Sequence, residues 1–166
     1  SKLYYKIACT YINELSFSKA VQYLESAMRI HRMQPEYNLA MGECLLELGN
    51  IKDAIIHFSN VVKAKPRGIA GWEALIRCLY KEDFLTEAIE QVNNARQIAG
   101  DKPLFLFYQS AVLFAMGKSK EALLVLQCAM ERAPRLLKKF IELNPTILQN
   151  QQVVDLIAYY KRKRSI

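Results

Sequence analysis

Ala20, Ala54, Ala88 and Ala122 stand 34 residues apart in this chain, and their surroundings repeat with them. Four residues after each comes an apolar side chain (Leu24, Phe58, Val92, Leu126), and seven after it a small one (Ala27, Val61, Ala95, Ala129). The next residue is aliphatic every time: Val21, Ile55, Ile89, Leu123. Spacings of four and seven return to one face of a helix, so each block carries an apolar stripe with small residues where another helix comes close. A stripe of that kind is buried only by a neighbour, which points to a stack of similar units.

The first halves of the blocks, with origins at Ser1, Pro35, Ile69 and Pro103, repeat as well. Their seventh places hold Ile7, Met41, Leu75 and Gln109; their eighth, Ala8, Gly42, Ile76 and Ser110; their eleventh, Tyr11, Leu45, Leu79 and Leu113. Trp72 takes the fourth place of its block. Gly49 and Gly117 fall between the halves, where the chain must reverse and glycine tolerates a positive φ. Pro66 and Pro134 close their blocks at a common offset, and proline belongs at a helix boundary. Each block therefore reads helix, turn, helix, turn.

This pattern resembles the tetratricopeptide repeat, a 34-residue unit with a W…LG…Y first helix and an A…F…A…P second helix. The second block fits best through Met41, Gly42, Leu45, Gly49, Ala54, Phe58 and Pro66; the third adds Trp72, and the fourth Ser110, Gly117, Ala122, Ala129 and Pro134. Gln109, Ile76, Arg32 and Gly100 depart from the pattern without disturbing its register. A pentatricopeptide reading expects a period nearer 35 and lacks these alanine and glycine positions. The resemblance implies an all-α, right-handed α-solenoid of antiparallel helix pairs, with repeats at 1–34, 35–68, 69–102 and 103–136.

Residues 137–166 break the period and read as C-terminal capping helices with a basic tail. Leu136 to Leu143 form a short first helix ended by Asn144 and Pro145; Asn150 is then the N-cap of a last helix with Val153, Val154, Ile157 and Tyr160 as its apolar stripe. A stack needs such a cap to cover its final face. At the other end, Ser1 opens a block directly, and Tyr4, Ile7, Ala8 and Tyr11 are expected to face a neighbour. The chain is therefore expected to be the C-terminal part of a longer repeat protein, the alternative being a cleaved tag and a naturally uncapped end; pairing of this face with a second copy, as a homodimer, is a separate reading.

No GxSxG, GxxxxGK or HExxH motif is present, so an enzyme is not expected. His31 and His57 stand alone, and Cys9, Cys44, Cys78 and Cys128 lack CxxC spacing, which leaves no expected metal or cofactor. Reduced packing cysteines favour a cytoplasmic setting. No apolar run reaches the length of about 18–20 residues that spans a bilayer. Export of a longer precursor stays open.

The resemblance assigns a function to the first helices, which in that family line a concave groove holding a partner peptide or helix. Carried onto this chain, the groove residues are Tyr5, Leu39, Glu43, Arg77, Tyr80, Phe107, Tyr108 and Phe114. The last three make an aromatic anchor set in the fourth repeat, unless the C-terminal segment folds over it. An Hsp70 or Hsp90 tail clamp is argued against, because its lysine, asparagine and arginine positions are occupied by Tyr5, Cys9, Ala40, Ala70 and Ala74, or by Leu39, Glu43, Ala74, Leu104 and Tyr108. Charge supplies the alternative. Of the formal +7, residues 131–166 hold eight basic residues against three acids. The run Lys161, Arg162, Lys163, Arg164 can serve as an adaptor for nucleic acid or an anionic membrane surface. Its plainer reading, preferred here, is a solvated, disordered end that complements the last helix dipole.

Overall fold

The computed structural model describes residues 1–164; Ser165 and Ile166, the end of the expected basic tail, lie outside the described residues. All regular structure among them is helical, in the order α1 (Lys2–Asn13), α2 (Phe17–Ile30), α3 (Pro35–Glu47), α4 (Ile51–Ala64), α5 (Ile69–Lys81), α6 (Leu85–Ala99), α7 (Pro103–Ala115), α8 (Ser119–Arg132), α9 (Leu137–Leu143) and α10 (Gln151–Arg164). Short 3-10 turns at Pro134–Leu136 and Pro145–Gln149 flank α9. The chain divides into two compact units, Ser1–Cys78 and the part from Leu79 onward.

In the first unit α1 packs on α2, α2 on α3 and α3 on α4. The alanine stripe makes this possible: Ala20, Leu24 and Ala27 of α2 are fully buried, and Ala8, Ala40, Met41 and Cys44 join Ala20 and Leu24 in one core. Gly42 is the closest approach of α3 to α4, since a Cβ there would stand 2.5 Å from a ring carbon of the buried Phe58. The fourth place of a block has a second use. Asn38 donates from Nδ2 to the Arg32 carbonyl at 2.9 Å, and Trp72, one repeat later, donates from Nε1 to the Pro66 carbonyl at 2.8 Å. Both side chains thereby tie the preceding turn to the helix that follows it.

The second unit is built on the pairs α6 with α7 and α7 with α8. Gln109, which departs from the aliphatic norm, accepts a 2.8 Å hydrogen bond from Arg96, and Arg96 and Arg132 both pair with Asp101. Ser110, buried, donates to the Ala122 carbonyl at 2.8 Å across the helix pair. The last helix is capped as expected, with Asn150 Oδ1 accepting from the Val153 amide at 3.2 Å. Val153, Ile157 and Tyr160 are its buried residues, spaced like Ala122, Leu126 and Ala129; Val154 is instead exposed and leaves the stripe.

The turn inside each pair has one geometry at four places. Leu15, Gly49, Asp83 and Gly117, 34 residues apart, take φ of 57°, 79°, 62° and 78°. In each the next amide bonds back to a helix carbonyl (Ser16 to Tyr11, Asn50 to Leu45, Phe84 to Leu79, Lys118 to Leu113), which is the Schellman closure. Leucine pays a steric cost in this left-handed region that glycine avoids, and Leu15 is 74% exposed, so its side chain gains little in return. Leu15→Gly is expected to raise stability by about 0.5–1 kcal/mol, read as a higher urea midpoint. A lowered midpoint would show that the leucine side chain contributes packing its exposure does not suggest.

Candidate interaction surfaces

In the first unit, α1, α3 and the part of α5 up to Cys78 carry the first-helix residues expected to meet a partner. Tyr5 is half-buried, with its ring 4.8 Å from that of Tyr37. Burial, a hydrogen bond with Cys9 and the nearby carboxylates of Glu36 and Glu43 push its hydroxyl up to about 12, so it stays a neutral donor and acceptor. Glu43 is held above the ordinary carboxylate range by desolvation, with the Arg77 guanidinium pulling the other way. Glu36 is held below that range, first by its 2.8 Å bond from Lys65. Leu39 and Arg77 are half-buried. The face thus combines an aromatic ring, an aliphatic side chain and charges of both signs.

The second unit corrects the sequence reading. Phe107 is 0% and Tyr108 2% exposed, so neither is an open anchor. The reason is α9, which packs on α7 and sets the Phe140 ring 6.1 Å from that of Phe107. The Tyr80 hydroxyl is likewise engaged, through a hydrogen bond with the side chain of Asn144 just after α9; burial raises its pKa. Of the expected aromatic set, only Phe114 remains half-exposed. The covering of this face was one of two readings the sequence left open. Its signal was Phe140, which stands 34 residues after the buried Leu106 and so sets the short helix expected over 136–143 in register with the earlier first helices.

The basic run is also corrected. Lys161, Arg162, Lys163 and Arg164 form the last turn of α10 rather than a disordered end, and all four are exposed. Their charge complements the negative end of that helix. Tyr160 donates to Glu131 at 2.9 Å and holds this turn on α8, where Lys163 and Arg164 share a surface cleft with Pro134. Arg135 follows Pro134 in the sequence. At the opposite end of the chain, Leu3 and Tyr4 are exposed, while Ala8 is buried and Tyr11 stacks on Tyr23 at 5.4 Å; only part of the expected open face is open.

No group of three metal-binding side chains is found among the described residues, and no described helix is long and apolar enough to cross a membrane.

A family model described as tetratricopeptide repeat matches residues 1–31. Over 143 residues the chain is 24% identical to anaphase-promoting complex subunit 7 of Homo sapiens, and the same holds for the Mus musculus protein. That alignment takes in 86% of this chain and 25% of the relative, so the chain spans about a quarter of the length of the curated relatives it matches. Among solved structures, a MamA of Desulfovibrio magneticus RS-1 superposes with a TM-score of 0.71 at 20% identity, over 98% of this chain and 91% of that one. YrrB, described as a TPR protein with an unusual peptide-binding site, superposes with a TM-score of 0.60 at 19% identity, over 96% of this chain and 73% of that one. These likenesses show an all-α solenoid fold.

Proposed function

We propose that this chain, a tetratricopeptide repeat protein, is a non-catalytic protein-interaction scaffold that holds a partner peptide or helix against the first-helix face of its first unit. The observation that carries this reading is that exposed Glu43 of α3 is electrostatically linked to half-buried Tyr5 of α1 and half-buried Arg77 of α5, with half-buried Leu39 one turn before it on α3. Aromatic and arginine side chains in partly desolvated settings are the usual anchors of an interface. The relatives support it: the human protein is named as a subunit of a complex, and YrrB is described as binding peptide. Reduced thiols at Cys9, Cys44 and Cys128 favour the cytoplasm. Phe107 and Tyr108 have no part in this surface.

A second reading, an adaptor for nucleic acid or an anionic surface, rests on the exposed basic last turn of α10. The two separate in one pull-down at low and high salt, with wild type, Glu43→Lys/Arg77→Glu and a variant carrying serine at positions 161–164. A protein retained at high salt and lost from the Glu43/Arg77 variant is expected. Nucleic acid or lipid captured only at low salt, and lost from the serine variant, would replace the first reading with the second. Pairing of two copies through exposed Leu3 and Tyr4 is a further partner mode, checked by the dependence of mass on dilution in the same preparations.

A further inference from the structure

In the first unit, the second helices α2 and α4, with α3 between them, line a groove of about 690 Å³ that takes in none of the first-helix residues proposed above to meet a partner. Its apolar lining comes from Val21 and Met28 of α2, Met41 and Leu45 of α3, and Ile56 of α4. Ile56 is 56% exposed, an aliphatic side chain left in water at the lip. Met28, half-buried, gives it an adaptable apolar surface that suits variable peptide side chains, while Met41 beneath is buried in the core.

The rim is ordered by charge. Each of α2 and α4 runs antiparallel to α3, so the two run parallel to each other. On α2, Glu25 lies one helical turn before Arg29; on α4, Asp53 lies one turn before His57. Asp53, in the first turn of α4, marks one end of the groove, and Arg29 and Arg32, at and just past the C-terminal end of α2, mark the other, with Glu25 one turn from Arg29 between them. Asp53 is bonded by the Asn50 amide at 2.7 Å, whereas Glu25, Arg29 and Arg32 have no ion pair among the described residues. The wall between the ends is fixed. Asn38 uses its amide group on the Arg32 and Gln34 carbonyls, so its Oδ1 accepts from His57 Nδ1 at 2.9 Å. That leaves His57 Nε2 as an acceptor, and burial lowers the pKa of the ring, which keeps it neutral near pH 7.

We infer that this groove is a second docking site, for a peptide segment of another protein whose apolar centre is flanked by a carboxylate at one end and a cationic side chain at the other. The apolar side chains fill the lining between Met28 and Ile56. The carboxylate meets Arg29 and Arg32, which have no ion pair among the described residues, and the cation meets Asp53 at the far end. A uniformly acidic or uniformly basic segment matches one end and is repelled at the other.

Three synthetic peptides sharing one leucine and methionine centre test this by fluorescence anisotropy with the full chain: one flanked by glutamate and lysine, one by glutamates, one by lysines. The mixed peptide is expected to bind about threefold to tenfold more tightly than either uniform one, the effect of one or two exposed ion pairs. Arg29→Glu/Arg32→Glu should shift the preference to the lysine peptide, and Asp53→Lys to the glutamate peptide. Ile56→Lys should abolish binding with an unchanged circular dichroism spectrum. Equal binding of all three peptides, no binding, or binding untouched by Ile56→Lys would overturn the proposal. So would a mass that rises with concentration and falls in Ile56→Lys, since the occupant is then a second copy. Arg77→Glu should leave the peptide titration unchanged, which separates failure of this site from failure of the first-helix surface.

Discussion

Phe107→Ala is expected to destabilise the second unit by about 3–5 kcal/mol, the cost of emptying a fully buried aromatic site. The ring packs against Phe140, so its loss leaves a cavity beneath α9 and deprives that short helix of its main support. A helix of seven residues has little stability of its own. The check is urea denaturation followed by circular dichroism, with Phe140→Ala as a companion. Each single change should be costly, and the double change should cost less than the sum by at least about 0.5 kcal/mol, because both remove the same contact. A near-neutral Phe107→Ala would mean that the ring is open to solvent and that the aromatic set of the fourth repeat belongs to a groove after all. Loss of a partner from this variant would report unfolding rather than a missing contact, so the variant cannot map a binding surface.

Phe58→Ala is expected to cost a similar amount, about 3–5 kcal/mol, and Gly42→Ala about 1–3 kcal/mol, for complementary reasons. Phe58 is 1% exposed and fills the contact between α3 and α4; a methyl group at position 42 would meet its ring at 2.5, 2.7 and 3.0 Å. Alanine is otherwise the better residue inside a helix, by about 1 kcal/mol. Removing the ring should therefore reverse the sign at position 42, so that Gly42→Ala becomes neutral or stabilising in a Phe58→Ala background. Four melting curves complete the cycle. Strict additivity would show that α3 and α4 do not meet at this glycine.

The helices and their partners were legible from the sequence because a repeat supplies its own redundancy. The small residue that permits a helix contact recurs at Ala20, Ala54, Ala88 and Ala122, and the left-handed turn recurs at Gly49 and Gly117. A periodic apolar stripe has few packing solutions, and periodicity survives single departures such as Gln109. Leu15 was not legible as a turn residue, since leucine disfavours a positive φ and its place in the repeat forces it; Asp83, which tolerates one, takes it at the same place. The first-helix residues of the first unit were nameable from the resemblance. Their electrostatics were not, because the states of Tyr5 and Glu43 depend on neighbours from other helices.

What the sequence by itself determined is the set of contacts that every repeat makes in the same way, encoded locally at spacings of three, four and seven. What only the tertiary structure decided is where that regularity ends. Whether Phe107 is an anchor or a core residue depends on the path of α9, and whether the basic run is loose or helical depends on Tyr160 reaching Glu131, 29 positions earlier. The groove between α2 and α4 belongs to the same class, since its charge order exists only once two parallel helices stand side by side. Exposure is a property of the packed chain, and a period fixes which residues face a neighbour without saying whether one is there.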